Sequence, residues 1–164
     1  MSKCFTRRKG AIETTACADG GGAHITAYYD GEEVGSLSLD PDRGALVVGM
    51  IHVDDAAKRK GVGTALYEAA VDLGCKTKLA IRSDNTRSPF AEAFWMKQER
   101  KGRATCRKGS AQGVVYYPPE YDRLTPEQKA ALPRASRWPC MQYEISAPCA
   151  TKSLEGLKKR RKRR

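Results

Sequence analysis

A strand–loop–helix pattern between Ala45 and Leu73 constrains this chain more than any other feature of its sequence. Residues 45–53 are apolar or β-branched except for Gly49 and His52, which predicts a buried strand. Apolar residues then recur at three- and four-residue spacing, as one face of a helix requires, at Leu66, Ala69, Ala70 and Leu73. The loop between them must turn a strand into a helix.

This loop carries three cations followed by two glycines. Glycine has no Cβ, so it lets the backbone turn tightly and approach a ligand closely. The first turn of a helix adds unpaired N–H groups and the positive end of the helix dipole, which together favour an anion. The sequence therefore predicts a phosphate-binding loop that consists of Lys58, Arg59, Lys60, Gly61, Val62, Gly63 and Thr64.

The spacing of the glycines excludes two common phosphate-binding motifs. A P-loop has four residues between its glycines and continues with Gly-Lys-Ser/Thr, whereas one residue separates Gly61 from Gly63. A dinucleotide fingerprint needs a third glycine where this chain has Leu66. A turn that contains Gly-x-Gly for steric reasons alone stays an alternative.

The whole pattern resembles the acyl-CoA-binding motif of the GCN5-related N-acetyltransferases. That motif reads Gln/Arg-x-x-Gly-x-Gly/Ala after a strand, and Lys58, Gly61 and Gly63 take those positions here, after a strand that ends at Val53. Lys58 keeps the positive charge of arginine but not its planar fork. The resemblance implies an acyltransferase, an N-acetyltransferase that uses acetyl-CoA as cosubstrate and transfers its acetyl group directly to an acceptor amine.

The resemblance also implies roles for single residues. The backbone amide near Val53 would polarise the thioester carbonyl, an oxyanion-type role. Asn85 lies where the family often has an asparagine that contacts the pantetheine arm or the reacting amide. The family's tyrosine, which reprotonates the departing thiolate, falls on Trp95. An indole N–H is a far weaker acid than a phenol, so the usual general acid is missing.

The general base is not obvious either. In the family it tends to lie several residues before Val53, and residues 46–49 have no side chain that accepts a proton. His52, the only titratable group inside the strand, is the candidate catalytic base. The alternatives are a base at Asp54, Asp55 or Glu92, or a mechanism that relies on proximity and has no dedicated base.

The rest of the chain predicts elements that fit this resemblance. A hairpin turn is predicted at Asp30-Gly31, and Gly74 is predicted to end the central helix. Strands are predicted at residues 12–17, 24–29, 34–39, 45–53, 77–82, 113–117 and 140–145. A central helix is predicted through residues 66–73, and two more helices at about 88–100 and 125–132, each with a Ser or Thr cap followed by proline.

These elements predict an α/β fold with a mixed, mostly antiparallel sheet around a central, splayed, parallel βαβ unit, as the resemblance implies. One domain is predicted over residues 1–150, with an insertion at about 118–139. Only about six residues, 18–23, separate the first two predicted strands, too few for the helices that the family usually has there. An open acceptor site would suit a protein or an RNA-linked amine better than a small molecule.

Six cysteines are scattered through the chain without any C-x-x-C pair. The N-terminus has no apolar segment of a secretory signal, and no apolar run is long enough to span a membrane. We therefore expect reduced, mostly buried thiols, a cytoplasmic protein, no membrane association and no metal site.

A basic tail follows the predicted domain at residues 151–164. The net charge is +11, and Lys158 to Arg164 consists entirely of lysine and arginine. Such a segment has almost nothing to pack and is predicted to be disordered in isolation. It would attract a polyanion such as nucleic acid, or it would only aid solubility.

Two functions compete with acetyl transfer. The chain could be a non-catalytic acyl-CoA-binding module, as the missing acid and base would permit. It could instead be a nucleic-acid-associated protein that acts through its tail. Thiol release from acetyl-CoA in the presence of amines distinguishes an enzyme from a binding module.

Overall fold

The computed structural model describes residues 2–107, 114–115, 117, 119–132 and 140–146. Its strands are β1 (Lys3–Lys9), β2 (Ile12–Asp19), β3 (Gly22–Tyr29), β4 (Glu32–Asp42), β5 (Ala45–Val53), β6 (Ala80–Arg82), β7 (Thr86–Arg87), β8 (Thr105–Arg107), β9 (Val114–Val115) and β10 (Gln142–Ile145). Its helices are α1 (Val62–Thr77), α2 (Pro89–Arg100), α3 (Pro119–Asp122) and α4 (Pro126–Ala131), with a 3-10 turn at Asp55–Ala57.

Two compact units contain these elements. The first holds the described residues up to Ile81 together with Ile145 and Ser146, and the second holds those from Arg82 to Glu144. In the described part of the chain, eight strands form a mostly antiparallel sheet, while β7 and β9 pair in parallel as a separate small sheet. The prediction of a mixed α/β fold with a mostly antiparallel sheet is confirmed.

The first unit begins with a five-stranded antiparallel meander. The strands from β1 to β5 pair in sequential order, and β6 is the next neighbour of β5. Asp30 and Gly31, at the predicted hairpin, both have a positive φ, 51° and 82°. Two consecutive left-handed residues are what a two-residue hairpin turn of type I′ requires.

Strand β1 was not predicted from the sequence, because Lys3–Lys9 is rich in charge. In the structure, charged side chains of this strand form ion pairs with α1. Arg7 forms ion pairs with Glu68 at 3.1 Å and Asp72 at 3.3 Å, and Lys9 pairs with Glu68 at 2.9 Å. One face of this edge strand is therefore matched to the acidic side of α1 rather than to an apolar core.

Helix α1 packs on one face of the meander and supplies most of the apolar core of the first unit. The four residues predicted to share its buried face, Leu66, Ala69, Ala70 and Leu73, are all buried. The strands contribute alternate side chains to the same core, as a half-buried sheet does. These are Ile12, Ala16, Ile25, Ala27, Leu37, Leu39 and Val48.

The predicted end of α1 at Gly74 is wrong. The helix continues to Thr77, and Lys78 adopts the left-handed conformation that ends it, with φ 58°. Gly74 has a packing role instead, since a Cβ there would lie 2.8 Å from both Ile81 Cγ1 and the Leu79 carbonyl oxygen. The glycine lets the next segment of chain cross close to the helix.

Two helices of the second unit begin at their predicted N-caps. The Ser88 side chain accepts a hydrogen bond from the Ala91 N–H at 3.2 Å and starts α2, which ends at Arg100 as predicted. Thr125 forms a capping box with Gln128 at the start of α4. Strands β9 and β10 lie inside two predicted strands, whereas β8, which pairs antiparallel with β10, was not predicted.

The prediction of reduced thiols is wrong for the described cysteines. Cys4 and Cys17 face each other across β1 and β2 and form a disulfide. Cys106 and Cys140 form another disulfide. Cys75 is also disulfide-bonded. Sequence spacing alone could not show this, because the pairing depends on strand register.

Two further predictions meet the limits of the described residues. The basic tail, 151–164, lies outside them, as does the part of the predicted insertion at 133–139. Within them, every helix is too short or too polar to cross a lipid bilayer.

Candidate functional site

The predicted phosphate-binding loop connects β5 to α1 in the first unit. After β5 ends at Val53, the chain makes the 3-10 turn and reaches Gly61, which is the N-cap of α1 with φ 85°. An L-residue adopts this left-handed conformation only at a cost, so glycine is needed for the turn itself. The strand–loop–helix order predicted from the sequence is confirmed.

The first turn of α1 presents backbone donors. The Ala65 N–H is the first to donate within the helix, to the Gly61 carbonyl at 3.0 Å, so the N–H groups of Val62, Gly63 and Thr64 have no intrahelical acceptor. Gly61 has no side chain to cap them. Three donors at the positive end of a sixteen-residue helix form a ready anion site.

The surface beside Gly63 is open. A Cβ on Gly63 would meet no protein atom within 4 Å, and Gly63 has ordinary helical backbone rather than a positive φ. Neither sterics nor backbone strain of this chain requires a glycine there. A requirement for close approach of a ligand to the backbone would explain it.

Two of the three loop cations have partners of their own. Lys58 Nζ lies 2.6 Å from Asp55 Oδ1, and Lys60 Nζ lies 4.9 Å from the centre of the Tyr29 ring. Arg59 is exposed and has a positive φ of 69°. The backbone donors are thus the fixed part of the site, and the exposed cations add positive charge around it.

His52 and Val53 end β5 beside this loop. His52 is opposite Ser36 of β4, its side chain is 65% exposed, and its Nε2 lies 3.0 Å from Asp54 Oδ1. Val53 is opposite Gly35, where a Cβ would lie 2.7 Å from the His52 carbonyl oxygen and 3.2 Å from Val62 Cγ1. Gly35, a position that no sequence motif marks, lets β4, β5 and the start of α1 pack closely.

A second polar feature of β5 was also missed. A Cβ on Gly49 would lie 2.6 Å from Asp40 Oδ2 and 2.9 Å from Ser38 Oγ. Both side chains come from the neighbouring strand β4. The signal for it was a glycine inside a strand, which often marks a bulge or a close approach.

The second unit contains a buried network that involves Glu92, one of the alternative bases. Arg87 Nε lies 2.5 Å from Glu92 Oε2, and both side chains are only 2% exposed. Tyr143 donates a hydrogen bond to Glu92 Oε1 at 2.9 Å. Arg87 also donates to the carbonyls of Cys140 and Met141. Glu92 therefore has buried structural partners, which argues against it as a base.

Two aromatic residues complete this network. Burial and the adjacent Glu92 carboxylate raise the pKa of Tyr143 above its ordinary value. Trp95, on the position of the family's tyrosine, is 1% exposed and stacks on Tyr143 with ring centres 6.0 Å apart. Trp95 is thus a core residue.

Asn85 is exposed, and its N–H bonds to Asp84 Oδ1 at 2.6 Å.

A family model identifies the fold that these elements form. The model of the acetyltransferase (GNAT) family matches residues 3–97, more than half of the chain. This chain belongs to the GNAT family. The match covers β1 to β5, the phosphate-binding loop, α1 and most of α2, so the resemblance drawn from Lys58, Gly61 and Gly63 is confirmed.

Solved structures of GNAT proteins resemble this chain over part of its length. YhbS of Escherichia coli, in complex with CoA, has 17% identity over 38% of this chain and 39% of its own, with a TM-score of 0.35. The ribosomal-protein-S18-alanine N-acetyltransferase of Escherichia coli has 14% identity over 56% and 57%, with a TM-score of 0.45. An acyl-CoA N-acyltransferase of Pseudomonas aeruginosa has 20% identity over 56% and 60%, with a TM-score of 0.43.

The chain spans less than two thirds of the length of each of these three GNAT structures. A comparison with curated proteins found no match. Membership of the family therefore rests on the family model and on the described strand–loop–helix unit.

Proposed function

We propose that this chain is an acetyl-CoA-dependent N-acetyltransferase that moves the acetyl group directly to an acceptor amine. The observation that carries the proposal is the open N-terminus of α1, where Gly61 turns the chain and Gly63 leaves the backbone accessible. CoA carries a pyrophosphate, and the donors of this helix turn suit such an anion. Membership of the GNAT family supports the same cosubstrate.

The backbone and the side chains of the loop would contribute differently to CoA binding. The N–H groups of Gly61, Val62, Gly63 and Thr64 would hold the pyrophosphate, whereas the Lys60 N–H bonds to the Ala57 carbonyl at 3.4 Å. Arg59, Lys58 and Lys60 would add screened positive charge, which contributes less than the fixed donors because these side chains lie near water.

The strand end would serve the acetyl group. The backbone amide near Val53 would stabilise the developing oxyanion of the thioester, which is worth several kcal/mol in other acyl-transfer enzymes, roughly 3–4. Asn85 would contact the pantetheine arm, and His52 would be a candidate base, with Asp54 holding its ring. Each of these roles is a proposal that binding and kinetic measurements can test.

The acceptor is proposed to be an amine on a large molecule. In the described part of the chain, the strands from β1 to β5 follow one another without an intervening helix. No front helices then enclose a small pocket, which supports a protein or an RNA-linked amine. Attraction of nucleic acid by Lys158–Arg164 would fit the latter.

Gly63→Glu gives a sharp test of the phosphate site. The substitution adds a carboxylate where the pyrophosphate would lie, yet it should fold, because the space is open and acidic side chains stabilise a first helical turn. We expect CoA affinity, measured by calorimetric titration, to fall by roughly 100-fold, or about 2.7 kcal/mol. Gly61→Glu is less informative, since its positive φ would strain the loop.

Gly20→Glu is the matched control. It adds the same charge at another glycine that has open space and no positive φ, in the turn between β2 and β3. Wild-type protein that binds no CoA, or equal affinity in wild type and Gly63→Glu, would refute the proposed site. Binding without thiol release, using acetyl-CoA with glycylglycine, polylysine and spermidine, would instead favour a non-catalytic acyl-CoA-binding module.

A further inference from the structure

Strand β5 contains a β-bulge in its middle. Leu37 of β4 pairs with Ile51, but Leu39 pairs with Val48, so Ser38 faces two residues of β5 instead of one. The Met50 N–H donates to Ser38 Oγ at 2.9 Å, which fixes the irregular turn of the backbone. Bulges redirect side chains and are frequent beside active sites.

The bulge brings a carboxylate over a strand that has none of its own. Asp40 Oδ2 would lie 2.6 Å from a Cβ on Gly49, which is closer than real Cβ atoms approach. The carboxylate therefore occupies the space that a side chain at position 49 would fill. Only glycine at this position lets Asp40 lean over the backbone of β5.

The Asp40 side chain lies outside the apolar core. Its neighbours Leu39 and Val48 point into the core below α1, whereas Asp40 itself is exposed. Within the described residues, no cation or hydrogen-bond donor pairs with its carboxylate. The titratable groups at nearby register positions of this face are His24, opposite Ser38, and His52, opposite Ser36, and Asp42 follows on β4.

The position along β5 suits proton transfer. Gly49 precedes Val53 by four residues, about 13 Å of extended strand. With the thioester carbonyl held near Val53, that length leaves room for an acceptor amine and a bridging water before the carboxylate.

We propose that Asp40 is the general base of the acetyl transfer, a role that rests on the proposed function. An acceptor ammonium gives one proton to the Asp40 carboxylate, directly or through water, and its nitrogen lone pair attacks the thioester carbonyl carbon. A C–N bond forms and the C–S bond breaks. The second nitrogen proton goes to the departing thiolate, giving amide and CoA thiol, and Asp40 returns its proton to solvent.

Asp40→Asn tests this role against Glu33→Gln, which removes the same charge from another exposed residue of β4. We expect kcat for thiol release with the amine panel to fall about 100-fold in Asp40→Asn, a usual contribution of a general base. The KM for acetyl-CoA, the calorimetric CoA affinity and the Tm should match wild type in both variants. Asp40→Glu should recover part of the lost rate.

Gly49→Ala gives an independent test without touching the carboxylate chemically. Its Cβ would displace the Asp40 carboxylate, 2.6 Å away, and would also crowd Ser38 Oγ, 2.9 Å away. We expect a lower kcat with unchanged CoA affinity. A wild-type rate in Asp40→Asn would overturn the assignment and leave the proposed function standing. Wild-type protein that binds no CoA, or that releases no thiol with any amine of the panel, would overturn both.

Discussion

Arg87 and Arg8 show how the surroundings of one residue decide what its charge contributes. Arg87 pairs with Glu92 where both side chains are 2% exposed, and it donates to backbone carbonyls as well. Arg8 pairs with Glu13 at 2.9 Å, but its side chain is 74% exposed. Two ion pairs of similar length can therefore differ greatly in the stability that is lost when one partner is removed.

Arg87→Met should destabilise the chain strongly. The substitution leaves the Glu92 carboxylate buried with one partner fewer, and breaking a buried pair in this way costs about 3–5 kcal/mol. Arg8→Met is the control, because an exposed pair contributes at most about 1 kcal/mol. Urea unfolding followed by circular dichroism measures both. Equal midpoints for the two variants would show that the Arg87 network adds no stability.

Helix α1 combines a ligand-binding end with a packing end, and its two glycines mark them. Gly63 lies in open space in the first turn, whereas a Cβ on Gly74 would lie 2.8 Å from Ile81 Cγ1. Alanine is a better helix former than glycine by roughly 1 kcal/mol in both places. Close packing opposes that gain only at Gly74.

Gly74→Ala should therefore lose stability while Gly63→Ala holds or gains it. Overpacking costs typically about 1–3 kcal/mol, which exceeds the gain in helix propensity. Chemical denaturation of the two variants against wild type compares them within one helix. If Gly74→Ala proved as stable as Gly63→Ala, the contact with Leu79 and Ile81 would be looser than the structure shows.

At the level of elements, the sequence predicted best where local chemistry decides the structure. The caps at Ser88 and Thr125, the hairpin at Asp30-Gly31 and the loop before α1 all follow from residues that are close in sequence. Strand β1 depends on acids of α1 more than fifty residues away, and Gly74 allows close packing of Leu79 and Ile81 instead of ending α1. The bulge that brings Asp40 over Gly49 likewise depends on pairing between strands, which no spacing rule reveals.

The cysteines matter for the whole molecule. Disulfides persist in oxidising surroundings and are rare among reduced cytosolic proteins. The cytoplasmic location, which was expected from the lack of a secretory signal, stays a prediction that these disulfides do not favour, and the single domain over residues 1–150 stays a prediction as well. Each unit also contains a disulfide that links two of its own segments covalently.

Removal of each disulfide should cost stability according to the length of the loop it closes. The sequence separations are 13 for Cys4–Cys17 and 34 for Cys106–Cys140. The chain-entropy relation then gives about 3 kcal/mol for the first and about 4 kcal/mol for the second. We expect Cys4→Ser/Cys17→Ser to lower the urea midpoint less than Cys106→Ser/Cys140→Ser. Peptide mapping without reductant should find both bridges, and complete alkylation of these four thiols in unreduced protein would restore the expectation of free cysteines.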